Sequence, residues 1–188
     1  MPAPVRILAF SGSARRESLN RRFLEVAVRA LRGSGCEVTV ADLNELSLPL
    51  YHGDLEDAQG LPANAVRLIE LIGAHQGLLV ASPEYNSMVT PLLKNTIDWC
   101  SRADTNPFEG KAAAVISASP GALGGVRSLQ MAQQLLLKLG CDVVPGQCFL
   151  PNAARGFGAD GRLVEARVQK SVEALMAKLA QACARLSA

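Results

Sequence analysis

Aromatic residues are scarce in this sequence of 188 residues: Phe, Trp and Tyr together make up 4% of it, whereas hydrophobic residues as a class make up 49%. A core must therefore be built mainly from Ala, Val, Leu and Ile. Aliphatic residues of this kind are typical of parallel strands that are covered by helices on both faces. The length fits one domain, and no linker or low-complexity tract divides residues 1–188.

Long runs of a single charge are also absent, because 19 Lys and Arg residues are balanced by 17 Asp and Glu residues. Nucleic-acid-binding proteins usually carry a basic patch or stripe, so this balance argues against nucleic acid as a partner. No apolar stretch approaches the roughly 20 residues that a membrane helix needs, and the short apolar run 5–10 lacks the flanks of a signal peptide. We therefore expect a cytoplasmic protein that does not bind membranes.

Pairs of cysteines with metal-ligand spacing are missing as well. The sequence has five cysteines and no CxxC motif. An odd number without such spacing predicts reduced, mostly buried thiols rather than a redox disulfide, an iron–sulfur cluster or another metal site. The two histidines, His52 and His75, are interpreted as surface residues rather than catalysts.

Short apolar runs alternate with helical patterns along the chain. Strands are predicted over 5–10, 38–43, 77–82, 112–118 and 141–148, and helices over about 24–33, 63–73, 91–102, 125–139 and 164–179. Pro145 cannot donate to a strand ladder, so the fifth strand is expected at an edge. Strict alternation predicts a doubly wound α/β fold with a five-stranded parallel sheet of order 2-1-3-4-5 and helices on both faces. The segment 47–60 is predicted to be a surface loop.

Unusual residues follow strands 1, 3 and 4, and in such a sheet a ligand lies at the carboxyl ends of the strands. After strand 1, the segment 11–20 is rich in hydroxyl groups and precedes a helix. Its backbone N–H groups, its Ser and Asn side chains and Arg15 suit a phosphate. Because GxxxxGK[ST] and GxGxxG are both absent, a monophosphate fits better than a nucleoside triphosphate or a dinucleotide. The alternative is that Ser18 or Asn20 only caps the helix.

The other two loops suit a flat ring. Residues 82–86 form a polar turn whose amides and Tyr85 lie where a heterocycle such as a flavin could rest. The alternative is a plain turn before a helix that Thr90 caps, with Trp99 in the core. After strand 4, residues 117–128 contain three glycines within five positions, which suit either close approach of a ligand or a flexible connection.

Three segments, GSARRESLN, SPEYNSMVTPLLKNTIDWCSR and SPGALGG, resemble the NAD(P)H-dependent FMN reductases of flavodoxin-like fold, which include bacterial chromate and quinone reductases. The resemblance implies a three-layer sandwich that binds FMN and transfers electrons from NADPH or NADH to a small-molecule acceptor such as a quinone, chromate, an azo compound or free flavin. It also implies a homodimer or homotetramer. Hydride transfer at N5 of the flavin would require neither a protein acid or base nor a metal.

The resemblance assigns the cofactor-binding residues in three groups. Ser13, Arg15, Ser18, Leu19 and Asn20 would hold the phosphate, Pro83, Glu84, Tyr85 and Asn86 would line the isoalloxazine, and Ser117, Ser119 and Gly121 would close its other side. Relatives commonly have Ser, then Pro-Gly, where this chain has Met88, then Thr90-Pro91, which leaves acceptor preference open. The main alternative function is a flavodoxin that carries electrons without substrate turnover.

Overall fold

The computed structural model describes residues 4–186. Within this range the strands are β1 (Arg6–Ser11), β2 (Glu37–Ala41), β3 (Gly77–Ala81), β4 (Glu84–Tyr85), β5 (Met88–Val89), β6 (Ala112–Ala118), β7 (Asp142–Val143) and β8 (Cys148–Leu150). The main sheet has the order β2-β1-β3-β6-β7, and β8 also pairs with β6. All of its pairs are parallel. The predicted doubly wound parallel sheet is therefore confirmed.

One detail of the strand order differs from the prediction. The predicted fifth strand is two short segments, β7 and β8, which pair with the first and last parts of β6. Pro145 lies between them, where it cannot donate to the ladder, and Gly146 has a φ of 142°. The edge position is confirmed, but the strand is interrupted at its proline.

Helices cover both faces of the sheet, as predicted. Their bounds are α1 (Leu19–Gly33), α2 (Gly53–Gln59), α3 (Ala63–Ala74), α4 (Pro91–Cys100), α5 (Val126–Lys138) and α6 (Ala166–Leu186), with a 3₁₀ turn at Ala153–Arg155. α1 and α6 pack in one core with Ile7 and Ala9 of β1. α3, α4 and α5 pack in the other core with Leu8 and Phe10 of the same strand. Alternate residues of β1 thus point to opposite cores.

Two local predictions were wrong. The segment 47–60 contains α2 where a surface loop was predicted, and none of the residues of α2 is buried. The helix is held instead by Glu56, which accepts hydrogen bonds from Arg102 Nε at 2.9 Å and from Tyr51 Oη at 2.9 Å. His75 was predicted at the surface but is buried, and its ring donates from Nδ1 to the carbonyl of Leu71.

Other predictions about single side chains hold. Trp99 is fully buried, with its indole N–H donating to the carbonyl of Pro49 at 2.8 Å. All five cysteines are buried. In the described part of the chain, no helix has both the length and the apolar character needed to cross a bilayer.

Candidate functional site

The loops after β1, β3 and β6 meet at the carboxyl edge of the sheet and enclose a cavity of about 490 Å³. Nine of the residues predicted from the sequence line it: Ser13, Arg15, Ser18, Leu19, Asn20, Pro83, Glu84, Tyr85 and Ser119. Three further lining residues, Glu17, Ala118 and Pro120, were not predicted, although each is adjacent in sequence to a predicted one. The cavity volume lies within the range of small-molecule sites in proteins.

The side chains of Ser18 and Asn20 hold the first loop in place. Ser18 caps α1, since its Oγ accepts a hydrogen bond from the Arg21 N–H at 3.3 Å. Asn20 is buried and bonds both backbone groups of Ala118: its Nδ2 donates to the carbonyl at 2.7 Å, and its Oδ1 accepts from the N–H at 2.9 Å. These contacts join the loop to the end of β6, so both side chains have a structural role.

Open hydrogen-bond donors remain in the same loop. Within residues 4–186, the Ser13 N–H has no protein acceptor, although Ser13 is only 6% exposed. The N–H groups of Leu19 and Asn20, in the first turn of α1, have no acceptor within the helix. The Arg15 guanidinium forms no ion pair with any described residue. The loop therefore presents to the cavity amide donors and the unpaired guanidinium of Arg15, which suit an anion.

The second loop is a β-hairpin rather than a simple turn. β4 and β5 are antiparallel, and the two residues between them, Asn86 and Ser87, have φ values of 50° and 66°. Positive φ at both positions is typical of a two-residue hairpin turn. Tyr85 pairs with Met88 across the hairpin, and both are about half exposed. Asn86, which was predicted to line the ring, is not among the residues that line the cavity.

Glu84 fastens this hairpin to α5. Its carboxylate accepts from the backbone N–H groups of Arg127 at 3.1 Å and Ser128 at 3.3 Å, and from the Arg127 side chain at 2.8 Å. The N-cap of α5 is Gly125, which has no side chain to cap the helix. Glu84 therefore supplies, from 43 residues away, the negative charge that stabilises a helix N-terminus.

Three buried serines form hydrogen bonds at the start of the hairpin, two of them to backbone carbonyls of residues 82 and 83. The Ser128 Oγ donates to the carbonyl of Pro83 at 2.7 Å, and the Ser117 Oγ donates to the carbonyl of Ser82 at 2.7 Å. Because the Ser128 hydroxyl proton is used in this way, the Ser82 Oγ donates in the 2.7 Å contact between the two hydroxyls. Ser117 was predicted to contact the cofactor; it is fully buried and is not among the residues that line the cavity.

The glycines of the third loop serve packing more than ligand approach. A Cβ at Gly125, where φ is 82°, would lie 2.0 Å from the Ser117 Oγ. A Cβ at Gly124, where φ is 59°, would lie 2.8 Å from the ring of Phe149. At Gly121, in contrast, a Cβ would meet only the Ser119 Oγ at 3.6 Å. Two of the three glycines are therefore required by the protein itself.

A second cavity of about 380 Å³ lies between α1 and β2 and shares Ser13 with the first. Its arginines already have partners: Arg21 pairs with Asp42 at 2.7 Å, while Arg29 and Arg32 donate to backbone carbonyls. Neither the hairpin nor the loop after β6 is among its lining residues. The first cavity, which all three loops line, is therefore the candidate site.

Comparisons with known proteins bear on the family and the fold of this chain. Residues 5–155 match the family model described as NADPH-dependent FMN reductase. The chain is similar to an NAD(P)H-dependent FMN reductase of Pseudomonas aeruginosa, with 36% identity over 92% of both chains. It is also similar to a quinone reductase of Escherichia coli K12, with 32% identity over 74% of this chain and 73% of the other. Among solved structures, a flavoenzyme NAD(P)H:(acceptor) oxidoreductase from Paracoccus denitrificans superposes with a TM-score of 0.81 and 26% identity, covering 96% of this chain and 98% of that one.

Proposed function

We propose a specific function for this chain, which belongs to the NADPH-dependent FMN reductase family. It is an oxidoreductase that uses FMN and NAD(P)H, and it is an enzyme rather than a simple electron carrier. Beyond this, we propose that residues 1–188 form a single FMN-binding domain, that FMN occupies the 490 Å³ cavity, and that the electrons pass to a quinone.

The observation that carries the proposal is that two kinds of chemistry line the cavity. The loop after β1 contributes the unpaired Ser13 N–H, the first turn of α1 and the free Arg15 guanidinium. The hairpin and the loop after β6 contribute backbone groups and one aromatic ring, that of Tyr85. The first groups form the phosphate end of the cavity and the second suit a flat ring, so the residues present fit FMN.

Each group of residues has its own task in this proposal. Ser13 and Arg15 hold the phosphate together with the amides of Leu19 and Asn20, while Ser18 and the Asn20 side chain keep the loop in shape. Pro83, Glu84, Tyr85 and Ser119 line the ring. When bound, FMN supplies the hydride chemistry at its N5 atom. The protein then has to bind FMN and the substrates, orient them and exclude water from them. None of its acids or bases needs to move a proton.

A quinone is the acceptor that we favour. Several relatives are named quinone reductases. Beside the cavity, Tyr85 and Met88 expose an apolar pair, 48% and 50% exposed, against which a flat apolar molecule can lie. Chromate, azo compounds and free flavin are the competing acceptors. The exposed pair also favours burial by a second subunit, and we propose a homodimer or homotetramer on that ground. Independently of this, we propose that the protein is cytoplasmic.

Donor and acceptor need the same open side of the cavity, so we expect ping-pong kinetics, with parallel lines when the NAD(P)H and quinone concentrations are varied together. Intersecting lines would contradict the hypothesis that NAD(P)H and the quinone bind in turn at the same surface. The location of FMN is tested separately by Arg15→Ala, with Arg16→Ala as the matched control, because Arg16 is the adjacent arginine and does not line the cavity.

Fluorescence titration of the apoprotein with FMN measures both variants. Arg15→Ala should weaken FMN binding about tenfold, the effect of losing one charge-assisted hydrogen bond, and Arg16→Ala should leave it unchanged. A colourless protein that does not bind FMN would refute the proposal. Equal FMN affinities in the two variants would indicate that the phosphate does not contact Arg15. NADPH and NADH are compared by anaerobic bleaching of the flavin absorbance near its visible maximum.

A further inference from the structure

We propose that Thr90 is a positioning residue for the phosphate end of the cavity. Its hydroxyl fixes the Gly12–Ser13 peptide and thereby holds the Ser13 N–H in place as a phosphate donor. The inference rests on the proposed function, because it requires that FMN occupies this cavity.

Thr90 connects two segments that are far apart in sequence. Its Oγ1 donates to the carbonyl of Gly12, 78 residues away, at 2.6 Å. The same atom accepts from the N–H of Leu93 at 3.3 Å, which makes Thr90 the N-cap of α4. Thr90 is 2% exposed, so water does not compete for these bonds. One buried hydroxyl thus joins the start of the phosphate loop to the helix that follows the hairpin.

Gly12 is hydrogen-bonded and closely packed at this point. Its N–H donates to the carbonyl of Ala81 at the end of β3, at 2.9 Å. A Cβ on Gly12 would lie 2.8 Å from the Leu93 Cβ and 3.0 Å from the Thr90 Oγ1. The loop therefore leaves the sheet in close contact with the start of α4. The Gly12 N–H is bonded to Ala81, and the Gly12 carbonyl is bonded to Thr90.

The consequence for the site follows from the planarity of the peptide group. The carbonyl of Gly12 and the N–H of Ser13 belong to one peptide, and no cis peptide occurs in the described residues. In a trans peptide these two groups point in opposite directions. Since the carbonyl points to Thr90, the Ser13 N–H points away from it, and Ser13 lines the cavity without another acceptor for this N–H. Rotation of this peptide would move the donor away from the phosphate.

The test compares FMN with riboflavin, which lacks the phosphate. Thr90→Val keeps the shape and removes the hydroxyl, and the dissociation constants of both flavins are measured by fluorescence quenching on the apoprotein. FMN binding should weaken about tenfold in Thr90→Val, the effect of one lost buried hydrogen bond, whereas riboflavin binding should change much less. The preference for FMN over riboflavin should therefore fall about tenfold.

Two further comparisons separate positioning from general destabilisation. Thr90→Ser keeps a hydroxyl and should retain the wild-type preference, whereas Thr90→Ala should lose it, so this pair decides the question even if the valine variant does not fold. Thr96→Val is the matched control, because Thr96 is a buried threonine of the same helix whose Oγ1 donates only within α4, to Leu92 at 2.8 Å. It should leave the preference unchanged.

The outcomes distinguish the inference from the function on which it rests. If the wild-type protein binds neither flavin, the proposed function and this inference both fail. If the wild-type protein binds FMN and Thr90→Val and Thr90→Ala keep the full preference for FMN over riboflavin, the inference alone is wrong. Equal losses of FMN and riboflavin affinity would also overturn it, since they indicate damage to the fold rather than to the phosphate end.

Discussion

Replacing Glu84 by alanine removes the carboxylate that caps α5 from outside the helix. The N–H groups of Arg127 and Ser128 then lose their acceptor, and the loss of an N-cap costs about 1 kcal/mol, within a range of roughly 0.5–2. The Arg127 side chain is 52% exposed, so its ion pair with Glu84 adds at most about 1 kcal/mol. The free energy of unfolding should therefore fall by about 2 kcal/mol, and the Tm of a chain of this size by about 4–8 °C.

Thermal unfolding of the apoprotein, followed by circular dichroism, measures this shift. Glu84→Gln keeps an acceptor oxygen and the shape of the side chain, so it should lose about half as much stability. The matched control is Asp98→Ala, because Asp98 pairs with Lys94 at 2.6 Å within one helix and caps nothing. That exposed pair contributes within about 0.5 kcal/mol. If Glu84→Ala melts within about 1 °C of the wild type (a threshold of roughly 0.3 kcal/mol), the capping role of Glu84 is refuted.

Three further predictions concern buried groups. Asn20→Ala leaves the N–H and carbonyl of Ala118 unpaired in a buried position and should lower the stability of the apoprotein by about 2–4 kcal/mol in urea denaturation; an unchanged midpoint would contradict the role of this contact. Trp99→Phe loses the hydrogen bond to the carbonyl of Pro49 as well as volume and should cost about 1–3 kcal/mol in the same assay, so a loss below about 0.5 kcal/mol would contradict it. Burial raises to about 12 the pKa of four thiols, those of Cys100, Cys141, Cys148 and Cys183. A thiol reagent at pH 8 should therefore label these four cysteines only after denaturation. Rapid labelling of any of the four in the native protein would be inconsistent with their burial. Because the same thiols in the unfolded chain ionise near the ordinary cysteine pKa of 9.0, their contribution to stability is present below that pH and is lost as the pH rises toward 12.

Local signals were sufficient for most elements of the fold. Thr90-Pro91 marked the start of α4, and the buried run 112–118 coincides with β6. Signals of this kind act within a few residues, so a single sequence contains them. α2 was missed because it buries none of its residues and its sequence shows no apolar face. Its stabilising contacts come from Arg102 and Tyr51, which no local pattern reveals.

The position of the candidate site was also predictable, since the order of a doubly wound sheet fixes which loops share an edge. The tasks of its side chains were not. Asn20 was expected at the phosphate, but its side chain bonds Ala118, which is 98 residues away. Ser117 was expected at the flavin, but it lies beneath the hairpin and bonds Ser82. A polar residue in a loop satisfies the nearest partner in space, and that partner is known only once the chain has folded.

The sequence by itself thus determined the alternation of strands and helices, the edge at which the three special loops meet, and the resemblance that the family comparisons bear out. Those properties depend on short-range periodicity and on motifs that are contiguous in the chain. The tertiary structure alone decided which polar groups remain free to bind a ligand. Ser13, Arg15 and the Ser18 hydroxyl keep open donors, whereas the side chains of Asn20 and Glu84 are engaged with the protein. The physical reason is that hydrogen-bond satisfaction is a long-range property, which is settled only by the packing of segments that are distant in sequence.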